Sequence, residues 1–297
     1  MPHLDYRGLA ALDAIVGLGS FERAATALSI SQPAVSHRLR ALEEQAGELL
    51  VVRGQPPQAT TRGQRLIAHF RQVRLLEAAL QPTPDRLAVA ELPQLAIAVN
   101  ADSAATWFPA ALAPLLTPPR CRIAVHIDDQ DLTLRLLREG RVIACVSTAT
   151  EAVAGTSMTA LGAMRYHCVA TPAFARQWFG PGLTAAAVAQ APALIYNQSD
   201  TLHPRFMRQL GLPVTFPYHS LPTSEGFVRF IEAGHAYGMV PQLQAGAALA
   251  AGTLVDLAPG SHIDVALVWH QWNIQTPLTV ALREQVVAAA ARQLMQG

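Results

Sequence analysis

Lysine is absent from this 297-residue chain, and all 22 of its Lys-or-Arg positions are arginine. GC-rich coding explains that bias more readily than a need for guanidinium forks on phosphates or carboxylates, so by itself it assigns no ligand. Cysteine is scarce: Cys121, Cys145 and Cys168 are odd in number and lack metal-ligand spacing. That makes a disulfide framework improbable and the cytoplasm the expected compartment. Long apolar runs are missing too. Residues 245–251 and 286–291 are short, Ala-rich and closely flanked by polar residues, which argues against a membrane span. Residues 1–7 include Asp5 and no apolar run, so no secretory signal is expected. The histidines, His69 and His270 among them, show no metal spacing. No Gly-x-Gly-x-x-Gly, P-loop or nucleophile-elbow string occurs, which leaves an enzyme without sequence support.

What is present is apolar. Hydrophobic residues make up 51% of the chain and charged residues 14%, with a net charge of +1. Dominant disorder is excluded, the near-neutral charge argues against non-specific polyanion binding, and the length allows two domains, or three small ones. Charge is uneven on a local scale. Between Ser29 and Leu42 lie His37, Arg38 and Arg40 with no acid, and Glu43, Glu44 and Glu48 follow at once.

The first sixty residues read as a helical unit with a wing. Leu9, Leu12 and Val16 recur at helical spacing, and Gly17-Leu18-Gly19 breaks the first helix. Ser20 stands where an N-cap belongs, and Phe21, Ala24, Ala25 and Leu28 follow at i, i+3, i+4 and i+7. The two alanines permit close approach of a neighbouring helix. After the tight Ser29-Ile30 connection Ser31 caps a third helix, with Pro33 tolerated in its first turn. There Val35, Leu39, Leu42 and Ala46 share one face, while Pro33, Ser36, His37 and Arg40 share the other.

A short-chained, acid-free helical face after a tight turn fits a DNA major groove. Gln32 at its start is placed for a base edge, with Ser31, Ser36 and Arg38 for phosphates. An ordinary solvated helix face is the competing reading of the periodicity alone. Leu49-Leu50-Val51-Val52-Arg53 and the Gly/Pro-rich segment 54–60 predict a β-hairpin wing, with Arg53 near phosphate or minor groove. Thr60 caps a long helix over 61–80, whose stripe Leu66, Phe70, Val73, Leu76 and Leu80 needs a partner. A second copy supplies one, and the helix's own chain is the alternative.

Ser20-Phe21-Glu22-Arg23-Ala24-Ala25, Leu28, Ser31-Gln32-Pro33-Ala34-Val35-Ser36, Leu42-Glu43 and Thr60 with Gly63 resemble the winged helix-turn-helix of LysR-type transcriptional regulators. Within that family, Phe21-Glu22-Arg23, Arg53-x-x-Pro56-Pro57 and Arg71-Gln72-Val73 resemble the branch controlling lysine and arginine metabolism and basic-amino-acid export. The resemblance continues through Val99-Asn100-Ala101-Asp102-Ser103, Thr223-Ser224-Glu225 and Trp269-His270, so it covers essentially the whole chain.

Beyond a linker at Gln81-Pro82-Thr83-Pro84, strands are expected at 95–99, 122–127 and 142–148, with helices at 107–116 and 132–138 between them. That order is a βαβαβ unit with a parallel sheet. A second set follows: a strand at 193–196, a helix at 204–210, a strand at 214–219, a helix at 225–233, a strand at 236–240 and a helix at 242–251. A final helix is expected over 279–295. Crossing strands near 166–170 and 265–269 join two lobes that resemble those of periplasmic binding proteins, as in the family's effector domain. The expected fold class is α/β with an all-α winged head. Its boundaries are 1–60 for the DNA-binding domain, 61–86 for the dimerisation helix and hinge, and 87–297 for the effector domain. Lobe I is 87–165 plus 268–297 and lobe II is 166–267.

In open α/β sheets ligands collect at the carboxyl ends of strands. Reading those loops gives Asn100, Asp102 and Ser103, then Asp128 and Asp129, then Tyr196 and Asp200, then Thr223 and Glu225. Ser103, Thr106 and Thr223 are candidate donors to a ligand carboxylate at a helix start. Asp102, Asp128, Asp129 and Asp200 are candidates for ammonium or guanidinium groups. Each acid alone reads better as a loop or cap residue than as a ligand contact, and Glu225 reads as a cap. As a set they favour lysine or arginine, in accord with the branch resemblance. Gln130 departs from the third acid of that branch and leaves the choice between the two open. The resemblance further implies promoter DNA, further copies of this chain (a homodimer paired into a homotetramer) and RNA polymerase as partners, with no cofactor, metal or membrane. The same scaffold sensing another small anion, or a cytoplasmic solute-binding protein, are the alternatives.

Overall fold

The computed structural model describes residues 4–52, 54–80, 92–128 and 130–296, with the backbone alone at 130–132. Arg53, Asp129 and the linker at 81–84 lie outside the described residues. The head begins with α1 (Tyr6–Leu18), capped by the Asp5 carboxylate on the Arg7 amide. Next is α2 (Phe21–Ala27), where the Ser20 hydroxyl accepts from Glu22 and Arg23. In α3 (Gln32–Ala46) the Ser31 hydroxyl accepts from Ala34 at 3.3 Å. Each cap satisfies amides that a helix start leaves unpaired. Leu9, Leu12 and Ile15 of α1 meet Ala24, Ala25, Val35, Leu39 and Leu42 in one small core. Fully burying each leucine or isoleucine there stabilises the head by about 1.5–3 kcal/mol.

The wing is shorter than expected, with β1 (Val51–Val52) and β2 (Gln58–Ala59) paired antiparallel. The Glu43 carboxylate accepts from the Leu50 and Val51 amides at 2.9 and 3.3 Å and pins the wing to α3. Helix α4 (Thr61–Leu80) starts at Thr60, whose hydroxyl accepts from the Gly63 amide. Glycine at 63 is required, because a Cβ there would stand 2.2 Å from the Leu50 carbonyl oxygen. The α4 stripe divides. Leu66, Ile67 and Phe70 pack into the head's own core, whereas Leu76 and Leu80 stay exposed.

The remaining chain builds one sheet. Its elements are β3 (Gln94–Val99), α5 (Ala101–Ala105), α6 (Phe108–Leu116), β4 (Arg122–Ile127), α7 (Gln130–Arg138), β5 (Ala144–Ser147) and β6 (Thr156–Ala170). Then come α8 (Pro172–Trp178), α9 (Ala185–Val188), β7 (Ala193–Ile195), α10 (Leu202–Gln209), β8 (Tyr218–Ser220) and α11 (Ser224–Glu232). Last are β9 (Tyr237–Pro241), α12 (Gln242–Ala251), β10 (Val255–Asp256), β11 (Ile263–Trp272) and α13 (Pro277–Gln293). The strand order is β4-β3-β5-β11-β6-β9-β7-β8, with β10 also on β6. Three parallel strands on each side are thus joined through the antiparallel pair of β6 and β11.

The expected boundary at 165/166 falls inside β6. That at 267/268 falls on the register shift of β11 between Leu267 and Val268. Strand at 156–165, and helices α8 and α9, were not expected from the sequence. Conversely the strand expected at 214–219 forms only at Tyr218–Ser220, after Pro217, which has no amide proton to give a ladder. All three cysteines are buried and unpaired, and burial pushes the Cys145 thiol up to about 12. Among the described residues no helix is long and apolar enough to cross a membrane.

Candidate functional site

Two regions carry the chemistry. On α3 the buried Val35, Leu39 and Leu42 turn the opposite face outward, leaving Gln32, Pro33, His37 and Arg40 exposed and Ser36 and Arg38 half-buried. Gln32 is open to solvent at the helix start and is not covered by its own chain. Ser31 is exposed, and its capping hydroxyl keeps one proton to donate. Arg53 lies outside the described residues. This acid-free face is chemically suited to base edges and phosphates.

The second region is a cleft of about 580 Å³ between the two halves of the sheet. Strands β3 and β4 deliver Asn100, Asp102 and Asp128 to its first wall, and β7 delivers Tyr196 and Asp200 to its second. Asp102 receives hydroxyl protons from Tyr166 and Ser224, each at 2.6 Å, while staying partly open toward the cleft. Desolvation pushes its pKa above the usual carboxylate value, outweighing those two hydrogen bonds, and the nearby Asp200 adds to the rise. Asn100 is 5% exposed, and its side-chain oxygen has no hydrogen-bond partner among the described residues.

Asp200 is committed to its own loop, accepting from the Tyr196 and Leu202 amides at 2.9 Å each. Asp264 also lines the cleft but is gripped by both ends of the Arg165 guanidinium at 2.8 Å, which holds its pKa below the usual range. Among the described residues, four carboxylates therefore line the cleft. Arg205 is the one arginine among the described lining residues, donating to the Asp264 carbonyl at 3.3 Å.

Several expected contacts are placed elsewhere. Ser103 is fully buried and accepts from the Trp107 indole at 3.1 Å, so it faces the core. Thr106 donates to the Asp102 carbonyl at 2.6 Å, one turn back along its own chain. Thr223 and Glu225 are exposed outside the cleft, and Glu225 sits in the first turn of α11, where a negative charge favours a helix start. Asp129 lies outside the described residues.

Residues not named as contacts from the sequence include Tyr166, Ser224 (read only as part of the Thr223-Ser224-Glu225 loop), Arg205, Gln244 and Asp264. One of them had a readable signal. Ser224, Phe227, Val228 and Ile231 stand at i, i+3, i+4 and i+7, so Ser224 shares the buried face of α11. Among the described residues no group of three or more His, Cys, Asp and Glu could hold a metal ion.

Residues 6–64 match the family model for bacterial regulatory helix-turn-helix proteins of the lysR family, and residues 90–291 match that for the LysR substrate binding domain. The HTH-type transcriptional regulator ArgP of Pseudomonas aeruginosa is 43% identical over 293 residues, covering 98% of each chain. The crystal structure of ArgP from Mycobacterium tuberculosis is similar at a TM-score of 0.89 and 40% identity, covering 99% of this chain and all of that one. Full-length LysG from Corynebacterium glutamicum with bound effector Arg is similar at a TM-score of 0.80 and 33% identity, covering 98% of this chain and all of its own. The chain belongs to the LysR family: it is a helix-turn-helix transcriptional regulator with a LysR substrate-binding domain, not an enzyme.

Proposed function

We propose that this regulator senses a basic amino acid, lysine or arginine, in the inter-lobe cleft and controls genes of amino-acid export or metabolism. The charge of the cleft carries the reading: four carboxylates against one arginine among the described lining residues. Asp102 and Asp128 are assigned to the ligand's cationic groups: both line the cleft, and desolvation together with the nearby Asp200 favours a positive charge beside Asp102, whereas the Arg165 guanidinium already neutralises Asp264. The buried Asn100 oxygen accepts one further N–H from the ligand, which relieves the cost of leaving an acceptor dry and unpaired. Arg205 holds the carboxylate. That the LysG relative carries bound effector Arg supports a basic amino acid as the ligand.

At the other end, Gln32, Pro33, Ser36, His37 and Arg40 read bases in the major groove, Ser36 being placed for a phosphate as well. Ser31, Arg38 and Arg53 hold phosphates. The exposed Leu76 and Leu80 continue the α4 stripe toward a second copy, and two such dimers form the tetramer on promoter DNA that RNA polymerase meets. Closure of the lobes on the ligand shifts the tetramer between two arrangements, for which coupling of ~1–3 kcal/mol suffices.

A thermal-shift screen with all common amino acids, run with and without DNA from upstream of the protein's own gene, tests this. Stabilisation by lysine or arginine that changes when DNA is present is the expected result. Stabilisation by an organic acid alone would replace the reading with that of an anion sensor, which the acid-rich cleft opposes.

A further inference from the structure

We propose that Arg71 is the residue that ties the effector cleft to the DNA-reading head, an inference that rests on the effector-responsive reading above. Its guanidinium bridges two parts of the molecule far apart in sequence. Toward the head, Nε and Nη2 approach Asp13 Oδ1 on α1 at 2.8 and 2.7 Å. Toward lobe I, Nη1 donates to the carbonyl of Gly140 at 3.0 Å, just past the C-terminus of α7. A helix C-terminus presents unpaired carbonyls and partial negative charge, so a cation there is favoured. Neither side chain is freely solvated, with Arg71 31% and Asp13 18% exposed.

The backbone fit around this bridge is close. Gly140 is buried at φ +65°, and a Cβ at that position would lie 2.1 Å from the Ala68 Cβ on α4. Helix α4 and the end of α7 are therefore in direct contact, one turn along α4 from Arg71. The other end of α7 begins two residues after Asp128, a carboxylate of the effector cleft. At about 1.5 Å per residue this helix spans roughly 13 Å. It is fastened to the sheet along that length. The Thr133 hydroxyl donates to the Val146 carbonyl at 3.1 Å, and Leu134 and Leu137 are buried. A packed helix moves as a unit, so a displacement at the Asp128 end arrives at Gly140 and, through Arg71, at Asp13 in the head. Arg71 also belongs to the Arg71-Gln72-Val73 string, for which neither the groove-facing helix nor the cleft has a use. Its place is that of a positioning residue, touching neither ligand nor DNA.

The test uses the full chain and two readouts. Calorimetry with arginine, repeated with lysine, gives effector affinity. A duplex from upstream of the protein's own gene, titrated with and without the saturating amino acid, gives the ratio of DNA affinities. The wild type is expected to show a ratio in the usual coupling range of roughly 5- to 150-fold, in either direction. Arg71→Gln and the isosteric Asp13→Asn are expected to keep effector affinity within about twofold of wild type while bringing the DNA ratio to within about twofold of unity. Arg71→Lys, which keeps the charge but cannot span both partners, should recover only part of the ratio. Using Asp13→Asn as well guards against a fold defect at position 71, because both variants must retain effector binding. A full wild-type ratio in Arg71→Gln or Asp13→Asn overturns the proposal. A wild type that binds neither amino acid refutes the functional reading instead, and the coupling proposal falls with it.

Discussion

Ser224, at the start of α11, donates its hydroxyl proton to Asp102, in α5 on the opposite wall of the cleft, across 2.6 Å. The two walls of the cleft are thus joined at the carboxylate that the effector reading assigns to a cation. Burial pushes the pKa of that carboxyl up, so a proton bound to Asp102 helps the ligand-free protein. The stabilising contribution is complete below the ordinary carboxylate value and is lost as pH rises through the raised one. A cationic ligand reverses the preference and drives the proton off. Arginine or lysine affinity is therefore expected to rise with pH across that window. Calorimetry in two buffers of different ionisation enthalpy should show proton release. Asp102→Asn should remove both effects and weaken binding about tenfold or more, equivalent to at least about 1.4 kcal/mol. Affinity that ignores pH and releases no proton would contradict the assignment.

His203 gives a prediction of the opposite sign. It lies in the lobe II core against Phe216 and Tyr237, with neither ring nitrogen paired among the described residues, and burial pulls its pKa down to about 3. Charging it in the folded state is costly, whereas the unfolded chain takes the proton near the ordinary histidine value. Its stability contribution is present above about pH 6.5 and lost as pH falls toward 3. The loss is about 1.4 kcal/mol per pH unit. His203→Phe should flatten this part of the acid limb, read as the difference between wild-type and variant chemical denaturation from pH 7 to 5. Parallel curves would place the ring in contact with water.

The wing depends on one carboxylate. Glu43 accepts from both the Leu50 and Val51 amides, so Glu43→Ala strands two donors at the edge of the head core. A loss of about 1.5–3 kcal/mol is expected in the unfolding of the head, since hydrogen bonds to charged groups fall in that range. Glu43→Gln, which keeps an acceptor oxygen, should lose less. Equal losses in the two variants would mean that charge rather than acceptance holds the wing.

Glu43 also marks where the sequence is readable and where it is not. The helix starts at Ser20, Ser31 and Thr60 were legible because a cap acts within three residues of itself, and the bounds of α4, β4 and α12 follow from local periodicity. The acid run at Glu43 and Glu44 was legible as charge, but its grip on the wing is a contact seven and eight residues away. Strand at 156–165 was illegible for the same reason. Its ladder partner is β11, about a hundred residues later, and Gly162 interrupts its pattern. In the cleft, loops after strands were readable, which gave Asn100, Asp102, Asp128, Tyr196 and Asp200. Ser103 and Thr106 looked equally suitable, yet an indole and a carbonyl of their own chain engage them first. Arg205 and Asp264 are brought to the cleft by the tertiary fold, and no local pattern announces them.

On the proposed reading the face of α3 makes two kinds of DNA contact, and the separation between them can be measured. Arg38 is half-buried beside the exposed stripe, and on that reading its guanidinium is given a phosphate, which it would neutralise without reading sequence. Each such contact releases counterions, so Arg38→Ala should weaken binding to every duplex and reduce the slope of log affinity against log salt by about one. Gln32 is exposed at the helix start and carries no charge. Its amide matches an adenine edge in the major groove. Gln32→Ala should leave the salt slope unchanged while narrowing the gap between target and unrelated duplexes by ~1–3 kcal/mol. Titrations of both variants at several salt concentrations, on target and unrelated DNA, distinguish the two roles. If Gln32→Ala instead shifts the slope, or Arg38→Ala changes only sequence preference, the two roles are exchanged and α3 enters the groove in a different orientation. If neither variant changes either quantity, another surface meets the duplex.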